Sequence, residues 1–141
     1  MPHTPLTVVL FIAAVLGLAG CAGGNTPTDQ PDDGHGGHGG AETVHPAVEG
    51  APDVALTAVD IDFQPGSLEL SAGQPTNVTV TNAGKAEHDF TFEEAGVHLN
   101  VDQGTSETTS VVVDEPGVYK AICSVPGHAD AGMVVEVTVA E

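Results

Sequence analysis

The chain has 141 residues, 20 acidic side chains against 2 basic ones, a net charge of −18 and two cysteines. That length sets one domain as the expectation, and that charge would repel nucleic acid and anionic membrane surfaces. The acidity suits the steering of a basic protein partner and equally a salt-adapted surface, and the two readings are compatible.

Residues 6–19 are almost wholly apolar, too short for a stable membrane-spanning helix and of the length of an export signal's hydrophobic region. They run into Leu18-Ala19-Gly20-Cys21, which resembles a bacterial or archaeal lipoprotein processing site. That resemblance implies a signal peptide over 1–20, lipid attachment at Cys21, and a protein held on the cell membrane and facing outside the cytoplasm. Residues 1–5 depart from such signals in carrying no Lys or Arg. An uncleaved N-terminal anchor is the alternative.

Residues 21–52 hold few large apolar side chains and many Gly, Pro, Asp and Thr. Such a stretch buries too little to offset its ordering entropy, so it reads as a lipid-anchored flexible linker. Within it, Asp32-Asp33-Gly34-His35-Gly36-Gly37-His38 reads as Gly-rich linker that happens to carry histidine. The alternative is a weak copper site feeding a main one. His45 goes with the linker.

Residues 53–141 carry the fold. Strands are expected over 54–63, 67–71, 76–82, 87–93, 97–101, 107–114, 118–123 and 133–139. They are punctuated by turns at Pro65-Gly66, Gly73-Gln74-Pro75, Ala83-Gly84 and Pro116-Gly117. Seven to eight short alternating strands at this spacing predict an all-β sandwich. Phe63, Phe90, Phe92 and Tyr119 fall in these strands and read as core.

Between the last two strands lies Cys123-Ser-Val-Pro-Gly-His128-Ala-Asp-Ala-Gly-Met133. It sets a thiol, an imidazole and a thioether on one loop, broken by Pro126-Gly127. His88 arrives from a separate strand. Two imidazoles, one thiolate and a weak thioether are the ligand set of a blue-copper electron-transfer centre. Cu(II) prefers tetragonal nitrogen and oxygen, whereas Cu(I) accepts soft sulfur at low coordination number. A trigonal His₂Cys set with a distant Met lies between the two preferences, so one copper ion can change charge with little rearrangement. Cys123 is thereby spoken for, as is Cys21, and no disulfide is expected. His98 has no such pattern around it and reads as surface or core.

The pattern Asn82-x5-His88 … Tyr119-x3-Cys123-x4-His128-x4-Met133 resembles the cupredoxins, the plastocyanin- and azurin-like small blue copper proteins. The loop spacing is similar to that of rusticyanin, auracyanin and sulfocyanin. Asp62-Phe63-x-Pro65-x2-Leu68-x-Leu70-x2-Gly73 is similar to the family's first strands. The resemblance covers residues 53–141. It implies a Greek-key β-sandwich, one type 1 copper held by His88, Cys123, His128 and Met133, and transfer of single electrons. It also implies redox protein partners, such as a cytochrome or a membrane oxidase or reductase.

In that family the residue after the first histidine, often Asn, ties its strand to the Ser or Thr following the cysteine. Here those positions are Asp89 and Ser124. Glu87 stands where azurin-like members carry Gly, so four ligands and no fifth are expected. The second histidine's edge, here His128 among small residues, is where the family exchanges electrons. The rival reading is a copper chaperone or storage protein with the same ligands. A multicopper enzyme would need further His clusters, a binuclear centre a second loop Cys, and a zinc site a harder fourth ligand.

Overall fold

The computed structural model describes residues 41–141. The export signal, Cys21 and the His35/His38 tract lie outside the described residues. Nine strands form in chain order: β1 (Asp53–Val59), β2 (Asp62–Gln64), β3 (Ser67–Ser71), β4 (Thr76–Asn82), β5 (His88–Phe92), β6 (Val97–Val101), β7 (Ser106–Val111), β8 (Gly117–Ile122) and β9 (Val134–Ala140). A 3-10 turn, Glu93–Ala95, joins β5 to β6.

The strands make two packed sheets, ordered β2-β1-β4-β7 and β3-β9-β8-β5-β6. Most neighbours are antiparallel, but β1 runs parallel to β4 and β3 parallel to β9. These parallel pairings require connections that cross between the sheets, as expected for a sandwich whose chain changes sheet repeatedly.

Alternation explains which side chains fill the space between the sheets. Leu68 and Leu70 in β3, Phe90 and Phe92 in β5, Val97, Leu99 and Val101 in β6, and Val135, Val137 and Val139 in β9 are all buried, two residues apart along each strand. Phe63 packs edge-on against Phe90, Phe90 against Phe92 and Phe92 against Tyr119, each pair with centroids 6.4 Å apart. The Tyr119 hydroxyl donates to the Glu115 carbonyl at 2.9 Å, which lets the ring's polar end sit at the margin of the core.

Three sequence expectations change. The run 54–63 is two strands. It folds back at Asp60-Ile61, pairing Ala58 with Phe63 and Val59 with Asp62. The turn has no Gly or Pro to announce it; Asp60 itself takes a φ of 46°, which Asp tolerates better than most residues. This fold-back raises the strand count to nine. Second, β7 ends at Val111, and Val113 instead offers its carbonyl to Gly73 N–H at 2.9 Å.

The third concerns residues 41–52, placed by composition in the linker. They are mostly exposed, yet they run along the sandwich and hydrogen-bond to both sheets. Thr43 and His98 exchange both backbone bonds, at 2.9 and 2.8 Å. His45 N–H donates to Thr109 Oγ1 at 3.1 Å, and its carbonyl accepts from Ser110 N–H at 3.0 Å. The buried Asn77 side chain accepts from Val48 N–H and donates to the Val48 carbonyl, at 2.9 and 3.1 Å. The segment thus covers β6 and β7, each the last strand of its sheet.

Candidate metal centre

His88 opens β5, and the alternation that sends Phe90 and Phe92 inward sends His88 inward as well; it is 2% exposed. Cys123 follows β8 and Met133 precedes β9. The β8–β9 ladder closes on them, since Cys123 N–H donates to the Met133 carbonyl at 3.1 Å. Both side chains are fully buried. Between them the loop winds tightly: His128 N–H donates to the Val125 carbonyl, and Met133 N–H to the His128 carbonyl, each at 3.0 Å. Gly127, at φ 86°, supplies the left-handed turn that the loop needs before His128.

The outcome is convergence. Cys123 Sγ lies 3.9 Å from His88 Nδ1 and 3.4 Å from His128 Nδ1. One donor atom from each of the three residues lies within 4.8 Å of the others. Imidazole and thiolate ligands bind a first-row metal at about 2.0–2.3 Å; three of them spread evenly around one ion lie roughly 3.7 Å apart. The observed separations bracket that value, so the donor set fits a single ion. Two nitrogens, one thiol sulfur and a neighbouring thioether residue fit one type 1 copper by softness and number. Met133 is held by its backbone beside both Cys123 and His128, with its side chain fully buried.

The electrostatics suit metal uptake. Burial holds His88 below the ordinary imidazole range, with the His128 charge adding to the effect and Asp89 and Asp60 opposing it. The ring is therefore uncharged at neutral pH, with one nitrogen lone pair free for a metal ion. Burial pushes the Cys123 thiol up, and the Asp89 charge pushes the same way against hydrogen bonds that favour the thiolate. A metal ion must therefore displace the thiol proton as it binds.

His88 is held from behind. Its Nε2 is buried, with no hydrogen-bond partner among the described residues. It faces Gly84, where a Cβ would come within 2.9 Å of both Nε2 and the Asp60 amide nitrogen. Only glycine fits there without moving the ring or the β1–β2 turn. Asn82 shapes the same loop: its amide donates to the Ala86 and Val101 carbonyls at 2.8 and 2.9 Å, and its Oδ1 accepts from Gly84 N–H at 3.0 Å.

Asp89 breaks the alternation. It points opposite to Phe90, toward the outer face of its sheet, yet is 3% exposed. Ser124 N–H donates to its two oxygens at 2.8 and 3.0 Å, and Ser124 Oγ donates to Oδ2 at 3.0 Å. The carboxylate thus ties β5 to the first residue after Cys123, and Oδ2 lies 4.0 Å from the sulfur. His128 is half-buried, within a loop whose Pro126, Gly127, Asp130 and Ala131 are exposed. It is the more accessible of the two histidines. His45 and His98 lie outside the cluster. The links from Asp89 onward to Thr91 and His98 had no signal in the sequence.

A family model for the cupredoxin-like domain matches residues 39–135. No curated protein sequence matches the chain. Among solved structures, the fold is similar to that of auracyanin from Roseiflexus castenholzii, at 20% identity, over 64% of this chain and 98% of that one, with a TM-score of 0.56. It is also similar to auracyanin A, a "blue" copper protein from Chloroflexus aurantiacus, at 17% identity, over 64% and 99% of the two chains, with a TM-score of 0.54. A third similar structure is the metal-binding domain of a Cu(I)-exporting P-type ATPase from Streptococcus pneumoniae. There the identity is 19%, the coverage 73% of this chain and 100% of that one, and the TM-score 0.54.

Proposed function

Since the chain belongs to the cupredoxin-like family, we propose that it is a single-electron carrier that holds one type 1 copper and works outside the cytoplasm, tethered to the membrane through Cys21. The observation that carries the redox reading is the approach of two Nδ1 atoms to Cys123 Sγ, at 3.9 and 3.4 Å. Copper bound there supplies one-electron Cu(II)/Cu(I) cycling.

This chain's residues do the rest. Cys123, His88 and His128 hold the ion in a set that suits both charge states, and Met133 is its weak fourth ligand. The rigid ladders that carry His88 and Cys123 keep those donors in place, so little reorganises when the charge changes. Burial excludes water from the Cys123 side. The half-buried His128, flanked by small exposed residues, lets a partner's redox group approach closely. A redox protein with a basic docking face fits the acidic surface best. The location rests on the lipoprotein-like sequence at 18–21 and the apolar run before it.

The test is the visible absorption spectrum after Cu(II) is added, for the wild-type protein and for Cys123→Ser. Intense blue absorption that disappears in the variant supports the carrier. A pale spectrum, indifferent to Cys123, overturns it. Chaperone or storage behaviour would show as strong preference for Cu(I) and rapid exchange of the ion.

A further inference from the structure

A chain of hydrogen bonds leads away from the centre. Asp89 Oδ2 lies 4.0 Å from Cys123 Sγ, and the Asp89 carboxylate accepts a fourth bond beyond those from Ser124: Thr91 Oγ1 donates to Oδ1 at 2.9 Å. A threonine hydroxyl has one proton to give. With that proton committed to Asp89, Thr91 Oγ1 is an acceptor toward its other neighbour, His98 Nδ1, at 3.2 Å. His98 Nδ1 therefore carries the proton.

The other ring nitrogen, Nε2, lies 3.3 Å from Asn100 Oδ1. A charged His98 donates to that oxygen; a neutral one accepts from the same amide turned about its axis. Nδ1–H donates to Thr91 in both charge states.

The order of these groups is set by register. Thr91 faces His98 across the β5–β6 ladder. The 41–52 segment then fixes β6 from outside, through the two backbone bonds between Thr43 and His98 and through Glu42 Oε1, which accepts from Asn100 N–H at 3.3 Å. Asp89, by contrast, is adjacent in sequence to His88 and clamps Ser124, adjacent to Cys123. The route from a partly exposed edge-strand histidine to the Cys123 sulfur thus has two side chains in it, Thr91 and Asp89, each in contact with a partner on either side.

We propose that His98 is a positioning residue for the metal centre, acting through Thr91 on the Asp89 carboxylate; this rests on the copper reading of the site. Donation from His98 fixes the Thr91 hydroxyl so that its proton stays on Asp89. That proton offsets part of the carboxylate's charge at Sγ and holds the rotamer that clamps Ser124. Without it, the uncompensated carboxylate favours the more positive, oxidised ion, and the Ser124 amide is held less firmly.

The experiment uses the full chain as wild type, His98→Leu, His98→Asn, Thr91→Val and the Thr91→Val/His98→Leu double variant. Two quantities are read: the midpoint potential with copper bound, and the hydrogen-exchange rate of the Ser124 amide without metal. Leu removes the donor at Nδ1, whereas Asn keeps an amide donor near that position. The expected result is a lower potential and severalfold faster Ser124 exchange in His98→Leu, with both restored in His98→Asn. In the Thr91→Val background, His98→Leu should change neither quantity further.

Unchanged potential and exchange in His98→Leu would overturn the proposal. So would a His98→Leu effect that persists undiminished when Thr91 is Val, because His98 would then act by another route. If the wild-type chain gives no blue copper spectrum, it is the copper reading that has failed. Ser124 exchange in the metal-free variants then still decides whether the His98–Thr91–Asp89 chain holds the loop.

Discussion

Asp89 is the side chain whose charge acts most directly on the sulfur. Replacing it with Asn keeps an acceptor for Ser124 N–H and removes a negative charge whose oxygen sits 4.0 Å from Cys123 Sγ. Loss of that charge disfavours the oxidised ion, so Asp89→Asn should raise the midpoint potential, on the order of one tenfold step in the one-electron equilibrium, about 59 mV. Voltammetry reads this directly, and an unchanged potential would mean that the carboxylate's charge is already neutralised by its three donors, the Ser124 amide and the Ser124 and Thr91 hydroxyls.

His88 and Cys123 make the metal-free protein sensitive to pH in opposite directions. The folded pKa of His88 is depressed below its ordinary 6.5, so the unfolded chain takes up that proton first. Its contribution to stability is complete above pH 6.5 and is lost as the pH falls toward the folded value. The Cys123 thiol is raised above its ordinary 9.0, so its contribution is complete below that value and is lost as the pH rises through the folded one. Melting temperature should therefore be flat between these limits and fall on either side. Each limb should be no steeper than about 1.4 kcal/mol per pH unit. His88→Gln should flatten the acid limb and Cys123→Ser the alkaline one; a limb that persists in its variant belongs to another group.

At the scale of elements, two readings of the chain show what alternation carries and what it omits. β3, β5 and β9 were legible because one face of each is buried and the period of two is a direct consequence. The β1–β2 hairpin was not, because Asp60-Ile61 carries neither Gly nor Pro and the alternation runs through it with no break in composition. The 41–52 segment was invisible for a different reason. It attaches by backbone hydrogen bonds and by the Asn77 side chain, and these leave no hydrophobic mark on the segment itself.

These ties predict that a domain cut to residues 53–141 is less stable than one beginning at residue 41. With about 1 kcal/mol net per hydrogen bond, reduced by the cost of ordering the segment, the loss should be roughly 1–3 kcal/mol. Denaturant midpoints compare the two. The shorter domain should also self-associate more readily through the uncovered β6 edge. Equal midpoints would mean that the segment's ordering entropy cancels its bonds.

At the scale of the whole molecule, 20 acidic groups and 2 basic ones oppose compaction. Salt should relieve that repulsion: at 1 M ionic strength the screening length is only about 3 Å. The denaturant midpoint in urea should accordingly rise with sodium chloride. A domain that unfolds at low salt would mark the acidity as an adaptation to brine. A domain indifferent to salt would leave steering of a basic partner as its role, and the association rate would then fall as salt rises.

What the sequence determined by itself was the chemistry. A thiol, an imidazole and a thioether within one loop are held near one another by chain length alone, and the period of two placed His88 on the buried face with Phe90 and Phe92. Only the tertiary structure decided what stands around that chemistry. The approach of His88 Nδ1 to a sulfur 35 residues away depends on β5 lying beside β8. The path from Asp89 to His98 depends on Thr91 falling opposite His98 when β5 pairs with β6, and the support of β6 on a segment some 55 residues earlier in the chain. Local spacing fixes which atoms can be neighbours along a loop. Which strands become neighbours is settled by the register in which two sheets bury their apolar faces, and no local run of residues states that register.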